Sequence, residues 1–321
     1  VDTTEREREL MPSTYRIGVI GHTGRGHYGH GLDHVWREIP VTQIVAVSDA
    51  DAQGRAETMK RLGVTQGFSD YRQMLDEAKP DIVSVAPRWA DQHCDMVVAA
   101  AERGVHVYLE KPMCRTLEES DRMVAACTAA NVKLAIAFQT RYSPILAVIR
   151  GLLEDGEIGD LLELRARGKE DRRGGGEDLW VLGSHVLNVM HYFGGPVNWC
   201  MGSVFENGIA VNKDHVKSGP EGLGPLAGDT VRAVYGMDEG VTGYFASHRN
   251  TTAGRPWRYG VQMFGSRGII EILTGYLPQA HFLPDASWSP GRSGKKWMRI
   301  SSQGVDQPEP LSGKTNRDGN V

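Results

Sequence analysis

Three short stretches of this 321-residue chain carry residue types that can do chemistry at close quarters. The first is Gly21-His22-Thr23-Gly24-Arg25-Gly26, which follows the apolar run Tyr15–Ile20. A glycine turn between a strand and a helix lets backbone N–H groups and the helix N-terminus hold a pyrophosphate. In the register that starts at Gly21, Thr23 stands where the middle glycine belongs, and Gly24 supplies the small residue for close approach. A second register, from Gly24 through Gly26 to Gly29, fits G-x-G-x-x-G in full but starts late after the strand. The second stretch is Glu110-Lys111-Pro112, a lysine set between a carboxylate and a proline at a strand end. It is suited to hold a reacting oxygen, and Lys111-Pro112 is a candidate cis peptide. A solvated lysine in a turn is the alternative. The third is Gly183-Ser184-His185, with Asp178 two helical turns earlier on the same expected face. An imidazole there suits proton transfer; a hydrogen-bonded core histidine is the other reading.

Further candidates also follow strand ends. Asp49 closes the run Val45–Ser48, where a carboxylate can accept hydrogen bonds from an adenosine ribose and disfavour a 2′-phosphate. That favours NAD, with Arg55 near enough to leave NADP open. Asp49 could equally cap the next helix, although Asp51 is the better cap. Ala86-Pro87-Arg88 ends the third strand-like run, and Gln139-Thr140-Arg141-Tyr142 ends the fifth. His22, His27, His30 and His34 form a histidine cluster, and His30 and His34 have metal-ligand spacing. No carboxylate completes a set, so no metal is expected.

The elements that must position these residues divide the chain into two parts. Apolar, Val- and Ile-rich runs at Tyr15–Ile20, Ile44–Val47, Ile82–Val85, Val105–Leu109 and Leu134–Phe138 alternate with helical segments. Val97, Ala100, Ala101 and Gly104 mark one helical face; Leu117, Met123, Val124 and Cys127 mark another. This pattern predicts an α/β domain with a doubly wound parallel sheet whose strand C-termini share one edge. The second part predicts a helix over Ser143–Leu153, a strand at Leu161–Arg167, a Gly174–Gly176 loop and one helix from about Leu179 to Tyr192. Alternating strands follow at Val197–Val204, Thr230–Tyr235, Val241–Ala246, Tyr259–Phe264 and Ile269–Ile272, with a hairpin at Met237–Gly240. An α+β domain with an open, mostly antiparallel sheet results. From about Pro278 to Val321 the chain is rich in Pro, Gly and Ser, with weak periodicity.

Composition narrows the function classes. At 40% hydrophobic and 24% charged residues, the chain reads as an ordinary globular protein of two domains. A net charge of −4 gives no basic field for nucleic acid. No apolar run reaches the ~18 residues of a membrane span. The charged start Val1–Leu10 lacks a signal-peptide core, and Met11 is a candidate native start. Cys94, Cys114, Cys127 and Cys200 form no C-x-x-C pair, which fits a reducing compartment and a cytoplasmic protein.

In this order, Gly21–Gly26, Asp49, Ala86-Pro87, Glu110-Lys111-Pro112 and Gly183-Ser184-His185 resemble the glucose–fructose oxidoreductase / inositol 2-dehydrogenase / rhizopine-catabolism (Gfo/Idh/MocA) family. The resemblance runs from Tyr15 to about Ile272. It implies an NAD(P)-binding Rossmann domain over residues 11–139 and a substrate-binding and oligomerisation α+β domain over residues 140–321. It also implies hydride transfer between NAD, with NADP open, and a small-molecule sugar, polyol or sugar derivative. The protein would be a homodimer or homotetramer built through the open sheet face, with no nucleic-acid or membrane partner. Lys111 matches the lysine that holds the reacting hydroxyl or carbonyl, and His185 the histidine that moves the proton. The cofactor set becomes Gly21, Thr23, Gly24, Arg25, Gly26, Asp49, Ala86, Pro87, Glu110, Lys111 and Gln139. Arg88, Arg141, Tyr142 and Asp178 are the substrate candidates. The chain departs from the family at Thr23, at Val181 and at Asn188, the last two where aspartates are common. Those departures keep two alternatives in view: an NAD-dependent glycosidase that retains its cofactor, and a dinucleotide-binding sensor. The family's C-terminal amphipathic helix is not visible before Val321.

Overall fold

The computed structural model describes residues 14–250, 258–275, 277–287 and 290–312. Val1–Leu10, Met11 and the end of the Pro-, Gly- and Ser-rich tail lie outside the described residues. The chain divides into two units, one running to Ala137 and the other from Phe138.

In the first unit, β1 (Tyr15–Ile20), β2 (Thr42–Ser48), β3 (Gln66–Phe68), β4 (Ile82–Val85), β5 (His106–Leu109) and β6 (Leu134–Ile136) form one sheet. The order is β3-β2-β1-β4-β5-β6, and every pair is parallel. The order reverses between β1 and β4, so the C-terminal ends of those strands flank the crevice where doubly wound sheets bind ligands. The helices are α1 (Ala52–Leu62), α2 (Tyr71–Ala78), α3 (His93–Ala101) and α4 (Leu117–Ala129). Residues alternate between the two faces: Ile17, Val19 and Val47 join one core cluster, and Ile20, Val85 and Leu109 join the other. Asp51 caps α1 by accepting from the Gly54 N–H at 2.7 Å. On α4, Met123 and Cys127 are buried, while Leu117 and Val124 of the expected face are exposed. The short β3 was not visible in the sequence.

The second unit holds a ten-stranded sheet with helices packed on one face. Helix α5 (Pro144–Glu154) leads to β7 (Leu161–Arg167), then α6 (Gly176–Val181) and α7 (Gly183–Gly194). The strands that follow are β8 (Val197–Glu206), β9 (Ile209–Ala210), a small β10–β11 pair (Lys217–Ser218, Pro225–Leu226), β12 (Thr230–Met237), β13 (Thr242–His248), β14 (Gly260–Gly265), β15 (Ile269–Leu273), β16 (Gln279–Leu283), β17 (Met298–Ser301) and β18 (Gly304–Val305). All neighbours in the large sheet are antiparallel except β7 and β13. Ile145 and Ile149 of α5 and Val186, Val189 and Met190 of α7 pack with Leu164, Phe245 and Val261 from the sheet.

Within the weakly periodic stretch that begins near Pro278, β16, β17 and β18 continue the sheet to its edge. One expectation is corrected here. The single helix expected over Leu179–Tyr192 is two helices, broken at Leu182. At the break the Leu182 carbonyl accepts from both the His185 N–H, at 3.1 Å, and the Tyr259 hydroxyl, at 2.6 Å. Gly183 then sits against the Phe245 ring, where a Cβ would come within 2.9 Å.

Candidate functional site

The expected helix after the glycine turn does not form. From His22 to His34 the chain runs in turns, with a bridge between His22 and His27, and reaches only a short 3-10 helix at Val35–Arg37. No helix N-terminus is therefore placed at the glycines. Gly24 and Gly26 have φ of +85° and +89°, a conformation that favours glycine. A Cβ on Gly26 would lie 2.5 Å from the Arg88 backbone nitrogen, so the loop lies flat on the turn after β4.

Three strand ends hold this loop. After β2, Asp49 is 1% exposed and accepts from the Thr23 N–H at 3.0 Å, the Thr23 hydroxyl at 2.7 Å, the Tyr28 hydroxyl at 3.0 Å and the Asp51 N–H at 3.0 Å. After β4, Arg25 pairs with Asp91 and stacks on Trp89 at 4.5 Å, and His22 Nδ1 lies 2.8 Å from Gln92 Oε1. After β5, His30 Nδ1 lies 2.7 Å from Glu110 Oε1. Gly29 closes on the same point, where a Cβ would come 2.5 Å from the Ala86 carbonyl and 2.9 Å from Glu110 Oε2.

Lys111 is 6% exposed, and its Nζ lies 3.9 Å from Glu110 Oε1. A buried ion pair of this kind holds its charge only through its neighbours. The Lys111-Pro112 bond is cis, as expected. His93, at the start of α3, was not singled out in the sequence. Its ring is fully buried, with Nε2 2.8 Å from the Pro87 carbonyl and Nδ1 3.0 Å from the Pro112 carbonyl. It thus ties the turn after β4 to the turn that carries Lys111. No sequence signal could have found it, because its partners are backbone atoms of other turns.

The loop fits a phosphate. The N–H groups of Gly24 and Gly26 take no part in the hydrogen bonds of the described residues, and a Cβ on Gly24 would meet nothing within 4 Å. Unengaged N–H groups at an open, glycine-lined point are what an anion needs. Gly21, Thr23, Gly24, Arg25, Gly26, Ala86, Pro87, Glu110 and Lys111 are all brought to this one edge of the first unit.

The remaining candidates belong to the second unit. Gln139 and Arg141 lie in a 3-10 turn and are half-buried, Tyr142 is exposed, and Arg141 stacks on Tyr192 at 4.6 Å. His185, in the first turn of α7, is half-buried and meets the Phe138 ring edge-on at 5.5 Å. Ser184 Oγ and Asn188 Oδ1, beside it on α7, are buried without a hydrogen-bond partner among the described residues. Asp178 is not an exposed contact: it is fully buried, and its Oδ2 accepts from the Ser247 hydroxyl and the Glu170 N–H. Burial raises its carboxyl above the ordinary value, opposed by those two hydrogen bonds. Val181 is packed into the unit's interior.

The histidine cluster disperses. His34 Nε2 faces Arg61 at 2.9 Å while His30 faces Glu110. Among the described residues no group of three or more His, Cys, Asp or Glu could hold a metal ion. Among them, too, no helix is long and apolar enough to cross a membrane.

Residues 15–138 match the model of the oxidoreductase family GFO_IDH_MocA, described as having an NAD-binding Rossmann fold. That match spans most of the first unit and none of the strands of the second. The chain is 27% identical over 256 residues to levoglucosan dehydrogenase of Pseudarthrobacter phenanthrenivorans, covering 72% of this chain and 65% of that protein. It is 26% identical to myo-inositol 2-dehydrogenase of Thermotoga maritima, covering 79% of this chain and 74% of the other. A shorter match, 33% identical, joins 42% of this chain to 36% of D-apiose dehydrogenase of Paraburkholderia graminis. A solved structure of levoglucosan dehydrogenase in complex with NADH and levoglucosan has the same fold, with a TM-score of 0.75 at 22% identity over 96% of this chain and 87% of the other. By sequence the chain is thus related to sugar and polyol dehydrogenases.

Proposed function

We propose that the chain is an NAD-dependent oxidoreductase that moves hydride between nicotinamide and a hydroxyl-bearing carbon of a sugar, polyol or sugar derivative. The observation that carries this reading is the meeting of a phosphate-ready glycine loop with the buried Glu110–Lys111 pair on one sheet edge. The dehydrogenase names of the relatives support the substrate class. Bound NAD would supply the hydride acceptor. Gly24 and Gly26 would receive the phosphates through their N–H groups, and Ala86, Pro87 and Gln139 would border the cofactor. Lys111 would donate a hydrogen bond to the reacting oxygen and stabilise charge that develops on it. His185 would take the hydroxyl proton. Ser184 and Asn188 have polar atoms ready for substrate hydroxyls, with Arg88, Arg141 and Tyr142 as further contacts.

A second copy of the chain is the partner we propose. The open sheet face leaves Trp199, Met201 and Tyr244 exposed, which a homodimer or homotetramer would cover. The four free cysteines suit a reducing, cytoplasmic setting. Val181, buried where the family commonly has an aspartate, keeps two alternatives open: a cofactor-retaining glycosidase and a dinucleotide sensor. The test is NADH formation by the purified chain on levoglucosan, inositols and pentoses, beside glycoside cleavage without net NADH. Reduction of NAD by any of these polyols supports the dehydrogenase; saturable NAD binding without turnover refutes it.

A further inference from the structure

Asp49 stands where a carboxylate usually reads the ribose of a dinucleotide, yet its surroundings give it other work. Both oxygens are engaged inside the protein. Oδ1 accepts from the N–H groups of Thr23 and Asp51, at 3.2 and 3.0 Å. Oδ2 accepts from the Thr23 N–H, the Thr23 hydroxyl and the Tyr28 hydroxyl, at 3.0, 2.7 and 3.0 Å. A carboxylate has about four lone-pair sites, and these donors fill them.

The donors are themselves locked. Thr23 is wedged against the start of α1, where a Cβ on Gly54 would fall 1.9 Å from its hydroxyl oxygen. The Tyr28 ring lies over Gly21, leaving 2.1 Å for a Cβ there. Burial also holds the Tyr28 phenol well above its ordinary value, so it remains a donor. Thr23 is the residue that departs from the glycine pattern. Its side chain supplies the hydroxyl that a glycine would lack, and Tyr28 supplies the other.

We propose that Asp49 is a positioning residue that anchors the cofactor loop through Thr23 and Tyr28, and that it does not contact the ribose. The loop has no helix behind it, so these side-chain bonds replace the helix as the element that fixes Gly24 and Gly26. The effect on cofactor binding rests on the function proposed above; the anchoring itself does not.

Two measurements on the full chain separate these. The first is amide hydrogen exchange of residues 21–34 without cofactor. Tyr28→Phe and Asp49→Asn should each speed exchange in the loop about tenfold or more, since each removes a hydrogen bond to a charged acceptor. The second is NAD affinity of the two single variants and the double variant. Tyr28→Phe alone should weaken NAD several-fold, and the double variant should bind no worse than Asp49→Asn, because both changes release one anchor. Thermal melts show that each variant folds, and Thr23→Val serves in place of any that does not. The proposal is overturned if Tyr28→Phe and Thr23→Val exchange and bind NAD as the wild type does while Asp49→Asn alone loses NAD and gains NADP. If the wild type binds no dinucleotide, the exchange result still decides the anchor and the proposed function fails separately.

Discussion

His93 gives the most exacting test of how the lysine turn is held. Its ring is sealed from solvent and faces only acceptors: the Pro87 carbonyl at 2.8 Å, and the Pro112 and Met113 carbonyls at 3.0 and 3.3 Å. His93→Leu removes every donor and leaves apolar bulk of similar size. A buried acceptor that loses its partner costs about 1–3 kcal/mol. A neutral ring has one N–H, so it serves one carbonyl fully, and a ring with both nitrogens protonated serves two. The expected loss is about 2–5 kcal/mol, a large share of the ~5–15 kcal/mol that holds a domain together. For a unit of this size each kcal/mol moves the melting temperature by about 3–5 °C, so the shift should be about 6–25 °C. Calorimetry reads it directly. His93→Gln, which keeps one donor, should fall between the two. A His93→Leu variant that melts within about 2 °C of the wild type, with Lys111-dependent turnover intact, would refute the bridging role.

Two further perturbations follow from the geometry. Glu110→Gln keeps an acceptor for His30 but removes the charge 3.9 Å from Lys111 Nζ. It should cost about 2–4 kcal/mol in a urea melt and lower kcat more than NAD affinity; unchanged stability and kcat would count against the buried pair. Asp178 has a carboxyl raised by burial, so its contribution is complete below the ordinary carboxylate range and is lost as pH rises through the raised folded value. Relative to the wild type, Asp178→Asn should therefore gain stability as pH rises, measured by melts across a pH series; a difference that does not vary with pH contradicts a carboxyl raised by burial.

Much of this was legible in the sequence because the relevant signals are local. The runs at Tyr15–Ile20, Ile82–Val85 and Leu161–Arg167 are strands with the boundaries their composition suggests. Gln66–Phe68 was hidden because three residues carry no period. The edge strands β16–β18 were hidden because their Gly- and Pro-rich surroundings read as loop, and what makes them strands is pairing with β15 and with each other. The break at Leu182 interrupts a run with good helical periodicity, and the side chains that meet it, Tyr259 just before β14 and Phe245 on β13, are distant in the sequence. The glycine loop shows the same limit at the site. Its glycines announce a phosphate-sized turn, but the contacts that replace the missing helix reach to Asp49, Asp91 and Glu110.

The central claim is that the amine at the end of β5 acts on the reacting oxygen beside a bound dinucleotide. The most direct measurement is stopped-flow NADH formation by Lys111→Ala against the wild type on the best polyol of the panel, with NAD affinity measured in parallel. The account predicts a fall in turnover of about a hundredfold or more with NAD affinity changed only a few-fold. Wild-type turnover in Lys111→Ala would contradict it.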